Sequence, residues 1–166
     1  MNIFVLDTDI DACARMHCDR HVIKMILESA QMLSTVVSEH GGRAKYKPTH
    51  RHHPCTRWAG QTRANFRWLT DLALALAFEH EVRFNPKREH ASCEVVRACF
   101  AQRALIPAGP LTPFVQAMPE RYRGPDAVAA YRRYYRAEKA AFATWQAPRR
   151  EPAWWRPVAL HNPSGT

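Results

Sequence analysis

Ala14-Arg15-Met16-His17-Cys18-Asp19-Arg20-His21-Val22-Ile23-Lys24-Met25-Ile26-Leu27-Glu28 reads as the central helix of the chain. His17, His21, Lys24 and Glu28 follow at intervals of four, three and four, so the spacing puts them on one face. Val22, Met25, Ile26, Ser29, Met32 and Leu33 cover much of the remainder. A helix apolar over so wide an arc packs on several sides. Ionisable groups lined up on a mostly buried helix cost free energy unless they are paired or used. The expectation is that the rest of the chain presents this face.

Working outward, Asn2 to Leu6 is a short apolar run, either a strand or an extended lead-in, and Asp7-Thr8-Asp9 offers capping oxygens. The central helix is expected from about Ile10 to Ser38, ended by Gly41-Gly42. Further helices are expected over about Pro54–Val82, Glu89–Ala104 and Asp126–Gln146. Asn85-Pro86 breaks the second, and a Pro-rich connection over Pro107–Arg123 precedes the last. Trp154-Trp155 is expected to cover apolar surface, and a polar tail over 157–166 to be disordered. Long 3.6-period segments and at most one short N-terminal strand make the fold class mainly α: a compact single-domain helical bundle with long loops over 1–166.

The chain of 166 residues carries a formal net charge of +9, and its isoelectric point is about 9.8. Such a balance points to an anionic partner, with nucleic acid the commonest, or to a merely soluble basic protein. From His40 to Thr70 no Asp or Glu occurs, while Arg43, Lys45, Lys47, Arg51, Arg57, Arg63 and Arg67 alternate with His40, His50, His52 and His53. With aromatics interleaved, this stretch reads as a phosphate-contacting surface. Five cysteines without a CxxC pair read as reduced, buried thiols in a cytoplasmic protein. No signal peptide is read at the N-terminus, and no run of apolar residues is long enough for a membrane span.

Three chemistries compete. Zinc on His17, His21, His50, His52 and His53 is possible, but HExxH is absent, and neither metal nor cofactor is expected. Acid–base and electrostatic catalysis by Asp19, His21, Lys24 and Glu28, with His50 and His53, competes with a buried network that merely fixes the helix. Nucleic-acid contact by the basic segments, with aromatics available to stack on an extruded base, has the broadest support.

The Ala14–Lys24 block, the His52-His53-Pro54-Cys55-Thr56-Arg57-Trp58 run and the closing Met118-Pro119-Glu120-Arg121-Tyr122-Arg123-Gly124 before an aromatic, basic helix resemble the pyrimidine-dimer DNA glycosylase family, the endonuclease V-like enzymes of phage. The chain looks closer still to phage proteins with a short MNIF-like start and a His-Cys-Asp-(Lys/Arg)-His-Val motif. The resemblance implies a helical DNA enzyme that flips a nucleotide and cleaves the glycosidic bond. In that family an N-terminal α-amine attacks the sugar to give an imine, assisted by basic groups and a carboxylate on the first helix. Carried over, the basic pair is Arg20 and Lys24, and the carboxylate position falls on His21, with Asp19 or Glu28 as replacements. Asn2 is large enough to leave Met1 in place, which brings Lys24 forward as an alternative amine.

The expected catalytic set is therefore Arg20, His21, Lys24, Glu28 and His53. The expected contacts to DNA, its phosphates and a flipped base are His17, Asp19, His50, Arg51, Arg57, Trp58, Arg63 and Gln116. On this basis His21→Ala is expected to abolish activity with little loss of folding. The alternatives are a DNA base-modification enzyme or a non-catalytic DNA-binding protein on the same scaffold and, further off, a metal-dependent nucleotide hydrolase.

Overall fold

The computed structural model describes residues 1–156 and is all-helical there, so the mainly α class holds. The expected C-terminal tail lies outside the described residues. Six α-helices follow in order: α1 (Ile10–Met16), α2 (Asp19–Glu39), α3 (Pro54–Gln61), α4 (Arg63–Phe84), α5 (Ser92–Ala101) and α6 (Ala127–Lys139), with short 3-10 turns at Arg103–Leu105 and Glu120–Tyr122. Asn2 to Leu6 is the extended lead-in rather than a strand, and Ile3, Phe4, Val5 and Leu6 are buried in the core. Helix α2 is central and packs against α3, α4 and α5, while α1 lies on α4. Among the described residues no helix is long and apolar enough to cross a membrane.

The expected first helix is two. His17 and Cys18 are both extended, with ψ of 137° and 159°, so the chain turns between α1 and α2. Nothing local forces this break; tertiary hydrogen bonds satisfy the groups it frees. The Arg83 guanidinium, whose side chain is fully buried, donates to the carbonyls of Arg15 (2.9 Å) and His17 (2.8 Å). It also pairs with Glu79 at 3.0 Å and Asp19 at 3.1 Å. Trp145 Nε1 donates to the Met16 carbonyl at 3.1 Å, and the Cys18 and Asp19 N–H groups donate to the Tyr135 hydroxyl and the Thr144 carbonyl. Segment 140–156, expected in part as helix, is instead a strap across this junction, anchored by Arg149 on Glu79 at 2.7 Å. Burial alone would push the Glu79 carboxyl up, but hydrogen bonds from Arg149 and Arg83 outweigh it and hold the group below its ordinary range.

The expected second helix is also two. Thr62 is extended and caps α4 by accepting from the Asn65 N–H at 3.1 Å, while Asn65 Nδ2 donates to the Trp58 carbonyl at 2.8 Å across the corner. Asn85 ends α4 in the left-handed region at φ 43°. Helix α5 starts three residues later than expected, because His90 Nδ1 and the His90 carbonyl take the first free N–H groups, those of Ser92 and Cys93. All five cysteines are buried and unpaired, and burial pushes the Cys13 thiol up to about 12. Trp154 and Trp155 pack against the core.

Removing one partner of a buried ion-pair network leaves the others desolvated and unpaired. Arg83→Ala is therefore expected to cost about 3–5 kcal/mol in a urea titration. Arg83→Lys should recover little, because an ammonium cannot span two carboxylates and two carbonyls as the guanidinium fork does. A loss of under about 1 kcal/mol for Arg83→Ala would show that the junction is held elsewhere.

Candidate active site

Two members of the expected site floor meet, and they meet at the start of the chain. Lys24 and Glu28 lie one turn apart on α2, Lys24 exposed and Glu28 buried, with Lys24 Nζ 3.3 Å from Glu28 Oε1. The other carboxylate oxygen is 3.7 Å from the Met1 ammonium and accepts the Asn2 N–H at 3.1 Å. Glu28 is thus shared by two amines and a backbone N–H while only 8% exposed.

The amine is positioned by Asn2. This side chain is buried, donating through Nδ2 to the Ala117 carbonyl at 2.9 Å. Its Oδ1 accepts from the Ile3 N–H at 2.8 Å and lies 3.1 Å from the Tyr131 hydroxyl and 3.5 Å from Cys55 Sγ. Tyr131 itself is wholly buried, and its hydroxyl also accepts from the Ala117 N–H at 3.2 Å. Burial raises the Tyr131 pKa, so the hydroxyl stays protonated and can donate. Met1 Sδ takes a hydrogen bond from the Thr56 hydroxyl at 3.9 Å. The chain start is therefore held from α2, α3, α6 and the Pro-rich segment. Sequence reasoning missed Tyr131, Cys55 and Thr56 as its supports; the one local signal was a lone amide, Asn2, inside an apolar run.

The basic loop crosses α2 at Thr35. The Thr35 hydroxyl accepts the Thr49 N–H at 3.0 Å and lies within donating distance of the Thr49 carbonyl, also at 3.0 Å. His50, at φ 49°, turns the chain there, and its Nδ1 is 2.8 Å from the Thr49 hydroxyl. His53 caps α3 with Nδ1 accepting the Cys55 N–H at 3.2 Å, which leaves the proton of the neutral ring on Nε2. Burial, then the positive charge of the chain start, then His50 lower the His53 pKa, while Glu28 opposes them. A neutral imidazole, a carboxylate and two amines within one another's fields can move a proton and offer a nitrogen lone pair.

The remaining expected residues stand elsewhere. His21 is removed from the site floor: its ring stacks on Phe4 at 4.7 Å, Nδ1 is 2.8 Å from the Tyr135 hydroxyl, and 5% of the residue is exposed. His17 does not share its helix or face; it lies beyond the break, fully buried, with Nδ1 donating to the Cys13 carbonyl at 2.8 Å and Nε2 unpartnered. Asp19 is occupied by Arg83, the Thr144 hydroxyl and the Gln146 N–H. Trp58 is a core residue whose Nε1 donates to the Pro113 carbonyl. Arg63 binds the carbonyls of Arg103, Ala104 and Ile106, and Gln116 clips Gly124 through both amide atoms. Five of these six stabilise the fold because buried or looped backbone groups must find partners, and these side chains supply them; His21 does so through the buried Tyr135 hydroxyl.

Arg20, Arg51 and Arg57 are exposed. Arg20 lies over the Phe142 ring at 4.9 Å, and Arg57 donates to His52 Nδ1 at 3.1 Å. Arg57 and Trp58 border a cavity of about 450 Å³ with Thr112 and Pro113, on the face of α3 opposite Cys55 and Thr56, which meet Asn2 and Met1. Among the described residues no three His, Cys, Asp or Glu side chains converge as a metal cluster. Compared with protein families, with curated proteins and with solved structures, the chain finds no match.

Burial first, then His17 and the cations Lys139, Lys24 and Arg20, lower the His21 pKa to about 3; burial likewise lowers that of His17 to about 4. In the unfolded chain both titrate near their ordinary 6.5. Below that pH the unfolded state takes up protons that the fold refuses, so stability falls as pH drops from 6.5 toward 4, by at most about 1.4 kcal/mol per pH unit for each ring. Urea midpoints at pH 7 and pH 5 should show that loss, and the two imidazole NMR signals should stay at their neutral positions down to pH 5. A signal of either ring titrating near pH 6.5 would place that ring in water.

Proposed function

We propose that the protein is a DNA-processing enzyme that cleaves the glycosidic bond of a damaged or modified pyrimidine nucleotide, using an amine held beside Glu28. The observation that carries this is the shared carboxylate: one oxygen of Glu28 lies 3.7 Å from the Met1 amine and 3.1 Å from the Asn2 nitrogen, and the other 3.3 Å from Lys24.

The step balances as a substitution at C1′ followed by ring opening. The lone pair of the deprotonated amine forms the N–C1′ bond as the glycosidic C–N bond breaks, and that bond's electron pair leaves with the base. Glu28 accepts one N–H proton and passes it to the departing base; the C1′–O4′ bond then breaks with its electron pair on O4′, which takes the second N–H proton, and the nitrogen lone pair closes the C1′=N imine. His53, neutral and capping α3 beside the amine, is the second group able to carry a proton. The net charge of +9, with exposed Arg20, Arg51 and Arg57, suits a phosphate backbone. The resemblance of the Ala14–Lys24 block to endonuclease V-like enzymes points the same way, with Glu28 rather than His21 as the carboxylate.

The test is incubation with duplex DNA carrying normal, ultraviolet-damaged and modified pyrimidines, with borohydride added to one half and mass spectrometry of protein, base and strand. The expected result is a released base and a reduced protein–DNA adduct at Met1, Asn2 or Lys24. Glu28→Gln should lower adduct yield by about 10²-fold or more while leaving salt-dependent binding in place. Binding without adduct or released base on every substrate would leave a non-catalytic DNA-binding protein. An altered base still on its sugar would mean base modification.

A further inference from the structure

Helix α2 carries an unusual outer arc. Arg20, Ile23, Lys24 and Leu27 are its exposed residues over the first turns, with Ile23 41% and Leu27 39% exposed. At four residues apart the two aliphatic side chains form one ridge along the helix. Solvated helix faces usually hold charges here, and this arc holds no carboxylate, since Glu28 turns toward Met1. Cations rim the ridge: Lys24 on one side, and Arg20 resting on Phe142 at 4.9 Å. Lys139 stands near, 5.0 Å over the Tyr134 ring and 5.8 Å over Phe4, the ring on which His21 of α2 stacks. Leu27 directly precedes Glu28, so the ridge lies within roughly 10 Å of the shared carboxylate.

An apolar ridge in a cationic frame complements a partner with an anionic surface and an apolar interior. A protein partner would gain little from two side chains, far below a standard interface. A second copy would set Arg20 and Lys24 against their own equivalents. Stacked bases between phosphates have the matching chemistry, and apolar side chains are the usual wedges between base steps. C1′ of a stacked, paired nucleotide is closed to an amine fixed to a protein surface, so the proposed reaction needs the stack opened.

We propose that Ile23 and Leu27 form a wedge that enters the base stack of duplex DNA beside the target pyrimidine, with Arg20 on a flanking phosphate, and so delivers the opened nucleotide to the Met1–Glu28 site. The wedge rests on the function proposed above and adds how the duplex is opened.

The experiment uses the full chain and duplex DNA with 2-aminopurine next to the target pyrimidine, whose fluorescence rises on unstacking. The wild-type protein should raise it on binding. The Ile23→Ser, Leu27→Ser double variant should bind with a similar salt slope but lose the rise. Its base release from duplex should fall at least about tenfold, while release from the same sequence in an unpaired bubble stays within about twofold of wild type. Phe78→Ser removes another exposed apolar side chain, 60% exposed on α4, and should change none of these readouts. A full fluorescence rise in the double variant, equal losses on duplex and bubble, or wild-type binding without any rise would each overturn the wedge, and base release by the wild type would then leave the glycosylase reading intact. No base release or adduct from any substrate would overturn that reading, and the wedge with it.

Discussion

A single buried guanidinium holds the ends of three helices in register. Arg83, on the last turn of α4, serves the final carbonyls of α1, the first-turn carboxylate of α2 and its own neighbour Glu79. Five donors in a planar fork fit this demand, and no other side chain offers as many from one position. Because α1 and α2 part at this point, α2 is free to run through the middle of the molecule against α3, α4 and α5. The strap of segment 140–156 then closes over the junction through Trp145, Thr144 and Arg149.

The orientation of α2 decides what each of its ionisable groups meets. With the break behind it, His21 is buried against Phe4 and Tyr135, Glu28 is buried against the chain start, and Lys24 reaches solvent. Asn2 completes the arrangement. A buried amide with partners on three segments fixes the backbone at the very point where a chain usually frays. Ordering a terminus beside a carboxylate costs conformational entropy, and Asn2, Tyr131 and the core run Ile3–Leu6 offset that cost. The chain thus keeps two amines, those of Met1 and Lys24, and a neutral imidazole around one carboxylate, on a molecule whose charge favours anionic partners.

Local pattern carried much of this. The 3.6-residue periodicity of Val22, Met25, Ile26, Ser29, Met32 and Leu33 places them all in the buried face of α2. Pro54 opens α3, and Asn85 before Pro86 ends α4, because proline and the left-handed region act on the backbone itself. The breaks at His17–Cys18 and at Thr62 were not legible. The first is held by the Arg83 guanidinium, 66 and 68 residues away in sequence from the carbonyls it binds. His17 left the expected line for that reason, since spacings of four, three and four share a face only while the helix continues; His21, on α2 with Lys24 and Glu28, is instead taken up by Phe4 and Tyr135.

The sequence by itself determined the all-helical class, the basic surface from His40 to Thr70, and the presence of Lys24 and Glu28 one turn apart, since these follow from composition and from i to i+4 geometry. Only the tertiary structure decided that Glu28 faces the Met1 amine and that His17, His21 and Asp19 serve the core. Asn2 meets Tyr131 and Glu28 meets the chain start across 129 and 26 residues of sequence. Contacts of that range are set by how the helices pack around α2, and local pattern carries no information about them.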